Sequence, residues 1–200
     1  MTIAIETPKA DNLQRLSLDE YLDYSDGTDT KYELLDGVLK PMSLGSVKHS
    51  KIIRFLDRQF DQEIQRSHPE WIVLATLMTV QSPRGRRWDT SRIPDLLVMP
   101  IAQYESMTDG AVITLDQKSP VLVVEVVSPS TKTEDYRSKW IEYCALDIAE
   151  YWIVDPIDDC VTVCVLEEGS YTNYRYTAQE PIVSVIFPAP KLTASQVLMN

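Results

Sequence analysis

The sequence predicts a single α/β domain, α+β in its detail, in which helices flank a mixed sheet. An amphipathic segment over about residues 46–66 has apolar side chains at three- and four-residue spacing, which is typical of a helix packed on a core. The near-continuous β-branched run at 121–127 is typical of a strand buried at the centre of a sheet. A helical segment at 132–147 and an apolar strand at 151–154 follow this run, and together they predict a strand–helix–strand crossover.

The remaining elements are short and are separated by turn residues. Ser17 and Glu20 form a capping-box pattern, which predicts a helix that extends to about residue 24. The Asp36-Gly37 pair predicts a hairpin turn between two short strands. The other predicted elements are strands at 71–74, 77–81 and 93–99, an irregular connector at 104–118, a hairpin of 160–166 with 171–176, and a short helix after Thr193.

Composition limits the class of protein. The 200 residues are enough for one well-buried core, and we expect residues 1–16 to be a flexible lead-in and residues 17–200 to form the domain. The formal net charge of −11 argues against broad, nonspecific coating of nucleic acid, because phosphate binding depends on Lys and Arg. No apolar run approaches the ~20 residues of a membrane span, and the N-terminus lacks the apolar core of a signal peptide. We therefore expect a cytoplasmic protein that makes no membrane contact.

The three cysteines give no sign of a disulfide or a zinc site. Cys160 and Cys164 are four residues apart in a strand-like stretch, which separates them by ~13 Å and puts them beyond disulfide reach. No C-x-x-C pair is present in the sequence. We expect all three cysteines to be small, buried, reduced side chains.

A carboxylate interrupts the most apolar predicted strand. Glu125 lies inside the run 121–127, where an unpaired ionised carboxylate would be costly to bury. It must therefore be paired, protonated, bound to a metal ion, or placed at the open end of the strand. A structural salt bridge and a functional acid both satisfy this requirement.

Two further acids make a metal site the stronger hypothesis. Asp95 follows Pro94 at the start of a second apolar strand, so two neighbouring strands each carry one acid. Hard cations such as Mg²⁺ prefer carboxylate oxygens and typically take one or two of them, with water and a substrate phosphate. Glu33, in the first hairpin, is a third candidate ligand, although a solvated strand residue would also fit its position.

The ordered set of motifs resembles the Uma-two family of restriction endonucleases, which belongs to the PD-(D/E)xK nuclease superfamily. The resemblance covers about residues 17–195. It rests on Tyr32-Glu-Leu-Leu-Asp-Gly37, His49, Pro94-Asp95, Val123-Val-Glu-Val-Val-Ser-Pro-Ser-Thr131, Lys139 with Tyr143, and Tyr151-Trp-Ile-Val-Asp-Pro156. It implies a restriction-endonuclease-like core, a mixed sheet flanked by helices with an acidic metal site at one end.

The resemblance also implies roles for individual residues. Asp95 and Glu125 resemble the paired metal-binding acids, and Glu33 resembles the additional acid that an earlier element often supplies. His49 stands where family members often have histidine, and an accessory role in the site and a structural hydrogen bond are equally compatible with it. The implied cofactor is Mg²⁺, with Mn²⁺ as an alternative.

The catalytic lysine is where this sequence departs from the usual superfamily motif. The position two residues after the second acid is Val127, where the motif has lysine. This family resembles variants in which the lysine has moved to the following helix, and Lys139 is the matching position. Lys132, seven residues earlier on roughly the same helix face, is a second candidate. Such a lysine could orient the attacking water and stabilise the developing negative charge.

One dense basic run is a candidate DNA contact. It consists of Arg84, Arg86 and Arg87 beside Trp88, with Arg92 close behind. Arginines next to an indole could hold a phosphate backbone and stack on a base. A charged hairpin tip on an acidic protein is an equally ordinary interpretation.

These observations predict a Mg²⁺-dependent endonuclease that hydrolyses phosphodiester bonds in DNA, with Glu33, Asp95, Glu125 and Lys139 in the catalytic site. The first alternative is a catalytically silent nuclease fold that binds DNA or protein. The second is a structural protein in which Glu125 forms a buried salt bridge with Lys139 or Lys132. A homodimer is a further expectation, because superfamily members that cut both strands commonly pair.

Overall fold

The computed structural model describes residues 15–43, 45–83, 88–108, 110–189 and 191–199. The helices are α1 (Leu18–Leu22), α2 (Val47–Ser67), α3 (Ile101–Ser106), α4 (Lys139–Ala145) and α5 (Ala194–Leu198), with a π-helical segment at Glu134–Ser138. The strands are β1 (Tyr32–Leu35), β2 (Val38–Pro41), β3 (Trp71–Ala75), β4 (Thr79–Ser82), β5 (Thr90–Arg92), β6 (Leu96–Pro100), β7 (Val112–Ile113), β8 (Leu122–Val126), β9 (Glu150–Asp155), β10 (Cys160–Glu167) and β11 (Ser170–Thr177).

The strands form two sheets, and both sheets are mixed. A six-stranded sheet has the order β11-β10-β9-β8-β6-β3, with β8 parallel to β9 and its other pairs antiparallel. A five-stranded sheet has the order β2-β1-β5-β4-β7, with β4 parallel to β7. The fold class predicted from the sequence is therefore confirmed, although the sequence indicated one sheet where the structure has two.

The six-stranded sheet lies at the centre of the core and is covered on both faces. On one face, α2 and α5 pack against it, and Phe60 meets Trp152 edge to face with ring centroids 5.5 Å apart. On the other face, Tyr143 of α4 and residues of the five-stranded sheet, such as Val80, form a second apolar cluster. Because both faces of β8 are buried, all five of its residues are buried, which explains its near-continuous apolar sequence.

Helix α2 forms as the sequence predicts. Its N-cap Ser46 accepts a hydrogen bond from the His49 N–H at 3.1 Å, and its buried positions include Ile52, Leu56 and Phe60. It is the longest described helix, at 21 residues, and its opposite face is polar. Across the described residues, no helix combines the length and the apolar character that a membrane span requires.

Three boundaries differ from the sequence prediction. The predicted strand 93–99 starts too early: within it only β6 forms, from Leu96, and residues 93–95 are the crossing from β5, which ends at Arg92 in the other sheet. Pro94, which cannot donate to a sheet, lies in the crossing between them. The predicted connector 104–118 contains the end of α3 and the short strand β7. The predicted helix 132–147 is a π-helical segment followed by α4.

The described residues allow two more predictions to be compared with the structure, the N-terminal lead-in and the state of the cysteines. Residues 1–14 of the predicted lead-in lie outside the described residues. Leu16 is buried and its N–H donates to the Gly37 carbonyl at 2.8 Å, so the packed fold includes residues before the predicted start at residue 17. The three cysteines are free, and Cys160 and Cys164 are buried.

Candidate active site

The side chain of Glu125 is the most buried of the three predicted acids. It is 3% exposed, Lys139 Nζ lies 2.8 Å from its Oε2, and the Tyr143 hydroxyl donates to its Oε1 at 2.7 Å. Both partners come from α4, the helix that crosses over from β8 to β9. The crossover helix therefore places an ammonium and a hydroxyl against Glu125, the one charged residue of β8.

The electrostatics of this pair reflect a local excess of acid. Burial raises the pKa of Glu125 to about 8, since the attraction of Lys139 is opposed by Asp95, Asp135 and Glu33. Burial alone would lower the pKa of Lys139, but Glu125, Glu33 and Asp135 raise it above its ordinary value. The lysine therefore stays an ammonium that donates hydrogen bonds, and the surroundings of Glu125 favour its protonated form.

Asp95 lies beside β8 at the crossing between the two sheets. Its Oδ2 accepts a hydrogen bond from the Val126 N–H at 2.7 Å, which places this carboxylate next to the residue that follows Glu125. His49 Nε2 lies 3.2 Å from the same oxygen. Burial lowers the pKa of His49, but the contact with Asp95 outweighs it and the net shift is upward.

The His49 ring depends on a glycine at the start of α2. A Cβ added at Gly45 would lie 2.6 Å from His49 Nδ1, which is closer than real Cβ atoms approach a neighbour. Gly45 therefore leaves room for the ring to lie in the first turn of α2 and to reach Asp95. The sequence left open whether His49 has an accessory role in the site or makes a structural hydrogen bond. In the structure its ring contacts Asp95, one of the predicted acids.

Glu33 is held by Arg92, and this corrects one prediction. Arg92 is 0% exposed, so the expectation that it contacts DNA is wrong: its guanidinium faces the interior, where Nη1 donates to Glu33 Oε2 at 3.1 Å. The same side chain makes two hydrogen bonds to Glu142 of α4, at 2.7 and 3.0 Å, and one to Glu134 at 3.1 Å. A bidentate guanidinium thus ties the five-stranded sheet to the helix that carries Lys139.

Glu33 also approaches the lysine. Its Oε1 lies 3.8 Å from Lys139 Nζ and accepts a hydrogen bond from the Ile93 N–H at 3.2 Å. Lys132, the second lysine candidate, instead pairs with Asp158 at 2.6 Å and Asp155 at 3.1 Å. The structure therefore brings Lys139, and not Lys132, to the predicted acids.

A cavity of about 770 Å³ opens onto these groups. Glu33, Glu125, His49 and Lys139 line it, and Asp95 lies behind His49. Two further lysines, Lys40 of β2 and Lys48 of α2, line the same cavity, together with the hydroxyl residues Ser43, Ser46, Ser128, Ser130 and Thr131. The cavity therefore has acids and an ammonium in its interior and cations with hydroxyls around them.

Part of the predicted DNA-contact segment cannot be compared with the structure. Arg84, Arg86 and Arg87 lie outside the described residues. Sequence reasoning also missed three acids that the structure brings to the lysine and to Arg92, namely Glu134, Asp135 and Glu142. Their spacing from Lys139, at i−5, i−4 and i+3, was the available signal, but acids at such spacing on a helix usually face solvent.

Whether these acids fit a magnesium ion depends on how many protein ligands the ion needs. Among the described residues, no three His, Cys, Asp or Glu side chains are arranged to hold a metal ion. Mg²⁺ commonly uses only one or two carboxylates, with water and substrate phosphate completing its shell. Asp95 accepts a hydrogen bond from the Val126 N–H, next to Glu125 in the chain, so two acids, the number of carboxylates that Mg²⁺ commonly uses, are available here.

Comparisons with known proteins identify the family of this chain and its fold. Residues 18–195 match the model of the Uma2 family, which is described as "Putative restriction endonuclease". The crystal structure of "a putative nuclease belonging to DUF820" from Anabaena variabilis matches with a TM-score of 0.73 at 15% sequence identity, covering 92% of this chain and 98% of that chain. At that identity the likeness shows the fold alone. No curated protein matches the chain.

Proposed function

Since the chain belongs to the Uma2 family, described as "Putative restriction endonuclease", we propose that it is a Mg²⁺-dependent endonuclease that hydrolyses phosphodiester bonds in DNA. The observation that carries the proposal is the position of Lys139, whose Nζ lies 2.8 Å from Glu125 in a cavity that Glu33 and His49 also line. A buried ammonium beside paired acids, open to a cavity of about 770 Å³, is suited to a phosphate and a water molecule.

In this proposal the chain's own residues bind, orient and donate. Asp95 and Glu125 would hold Mg²⁺, or Mn²⁺ as an alternative, and when bound the ion supplies Lewis-acid polarisation and neutralises negative charge on the phosphate. Lys139 donates hydrogen bonds that orient the attacking water and stabilise charge on the phosphate oxygens. The Tyr143 hydroxyl and the His49 ring fix the orientations of Glu125 and Asp95.

The substrate assignment rests on charge around the cavity. The chain carries a net charge of −11, but Lys40 and Lys48 line the cavity that contains the acids. Cations and hydroxyls at such positions suit the phosphates that flank a scissile bond. The contacts from Arg84, Arg86 and Arg87, and a homodimer that cuts both strands, stay predictions.

A plasmid-nicking assay with Mg²⁺ or Mn²⁺ tests the proposal. Wild type should nick only with metal, and Glu125→Gln and Lys139→Met should each lower the rate by about 10²-fold or more, since each removes a group that acts on the reacting phosphate. Lys132→Met is the matched control, because Lys132 pairs with Asp155 and Asp158 and should leave the rate near that of wild type. Wild type that never nicks, or Lys139→Met at full rate, would contradict the proposal.

A second candidate is a catalytically silent nuclease fold that binds DNA. The buried Glu125–Lys139 ion pair favours it, because each charge already has a partner. Retained binding of a labelled DNA duplex, with no metal-dependent nicking by wild type, would identify this candidate.

A further inference from the structure

Asp135 is a buried carboxylate that the proposed chemistry does not yet use. It is 1% exposed and lies in the π-helical segment at Glu134–Ser138, four residues before Lys139. Lys139 Nζ lies 3.1 Å from its Oδ1. Thr131 and Lys139 are the side chains that approach this carboxylate as donors, but across the described residues neither meets strict hydrogen-bond geometry with its oxygens.

Burial disfavours the charged form of Asp135. Burial raises the pKa of Asp135, and its interactions with Lys139 and Thr131 offset that only in part. A buried acid elsewhere in the fold has more donors: Asp155 accepts hydrogen bonds from the N–H groups of Ile157 and Asp158 at 2.9 and 3.0 Å. A buried carboxylate whose few donors are poorly aligned, and whose closest charged partner is Lys139, is a candidate for a role that acts through that lysine.

The backbone around Asp135 is built to aim it at the lysine. The Lys139 N–H donates to the Glu134 carbonyl, an i→i+5 bond that defines the widened π-helical turn. On the other side, the Tyr151 hydroxyl of β9 donates to the Asp135 carbonyl at 3.0 Å. The segment is thus fixed both to α4 and to the central sheet, and it carries Asp135 and Lys139 together.

The two partners of Lys139 differ in their access to the cavity. Glu125 lines the cavity, whereas Asp135 does not. A cation that binds Glu125 from the cavity would draw this carboxylate away from the ammonium. Asp135 would remain within ion-pair distance of Lys139 and would hold the ammonium in its place.

We propose that Asp135 is a positioning residue that holds the Lys139 ammonium toward the cavity while Glu125 binds the metal ion. The inference rests on the proposed nuclease function and adds to it the residue that fixes the catalytic lysine. Asp135 itself does not touch the substrate, and it acts through Lys139 alone.

The test compares Asp135→Asn with wild type in steady-state nicking and in thermal unfolding without metal. The rate constant kcat should fall about 10- to 100-fold, with KM nearly unchanged, because the lysine is misplaced while the cavity is intact. The Tm should stay equal or rise, since the variant replaces a buried charge and leaves Glu125 to pair with Lys139. Asp158→Asn, which alters only an exposed partner of Lys132, is the matched control and should change neither quantity.

A double variant separates positioning from a merely structural role. If Asp135 acts through Lys139, then Asp135→Asn added to Lys139→Met should lower kcat no further than Lys139→Met alone. Additive losses, a wild-type kcat in Asp135→Asn, or a parallel fall of kcat and Tm would each overturn the inference while wild type remains a nuclease. Wild type without metal-dependent nicking would instead remove the proposed function, and this inference with it.

Discussion

Two buried glutamates on neighbouring strands show what separates a structural acid from a candidate catalytic one. Glu125 of β8 and Glu150 of β9 are 3% and 0% exposed. Glu150 accepts hydrogen bonds from the Trp152 indole, from the Ser184 hydroxyl at 2.6 Å and from the Val185 N–H at 2.6 Å. Glu125 is paired with an ammonium and a tyrosine hydroxyl, among other acids, and it lines a cavity.

The difference lies in the donors and in access. The neutral donors to Glu150 come largely from the segment 184–186, so its charge fastens the C-terminal part of the chain to the sheet. The charge of Glu125 fastens no segment of that kind, and burial, together with the nearby acids, raises its pKa. Equal burial therefore does not indicate an equal role. The two positions differ in the hydrogen-bond donors that each carboxylate receives.

The largest expected effect on stability comes from the structural acid. Glu150→Gln should lower the free energy of unfolding by about 2 kcal/mol. The NH₂ group of the glutamine side chain would face hydrogen-bond donors that in wild type donate to the carboxylate. That loss of free energy corresponds to a fall in Tm of roughly 4–8 °C. Glu125→Gln should cost less in the metal-free protein, since Lys139 keeps Asp135 as a partner.

Thermal melts of both variants in metal-free buffer check this contrast. An equal or larger loss in Glu125→Gln would favour the alternative in which the Glu125–Lys139 pair is a structural salt bridge.

A further effect should appear in the pH dependence of stability. Burial raises the pKa of Glu125 from 4.5 to about 8, so between these values the folded state binds more protons at this group than the unfolded state does. Its contribution to stability should therefore be present below about pH 4.5 and be lost as the pH rises to about 8.

Denaturant unfolding of wild type and Glu125→Gln from pH 5 to pH 9 checks the sign. Wild type should lose more stability than the variant over this range. Parallel curves for wild type and Glu125→Gln would contradict the raised pKa.

Much of the fold could be predicted from local pattern. The spacing of Ile52, Leu56 and Phe60 predicts α2, and the β-branched run predicts β8, because each element is amphipathic or buried over its whole length. The division into two sheets could not be predicted, since it depends on where the chain crosses between β5 and β6, a matter of long-range pairing.

The site was predictable where acids break an apolar pattern. Glu125 and Asp95 stand out for that reason, whereas Glu150 begins its strand and gives no comparable signal. Arg92 was assigned to the surface because a basic run in sequence is usually exposed; only the three-dimensional arrangement shows the carboxylates of Glu33 and Glu142 that permit its burial. Asp135 was missed because helix acids are usually solvated.

The contrast between the two glutamates is tested most directly by metal-induced stabilisation. Thermal melts at pH 8.5 with and without millimolar Mg²⁺ should compare wild type, Glu125→Gln and Glu150→Gln, because a ligand that binds only the folded state raises Tm. We expect Mg²⁺ to raise the Tm of wild type and Glu150→Gln by similar amounts and to leave that of Glu125→Gln unchanged. The same shift in Glu125→Gln as in wild type, or no shift in wild type, would contradict a metal site at Glu125.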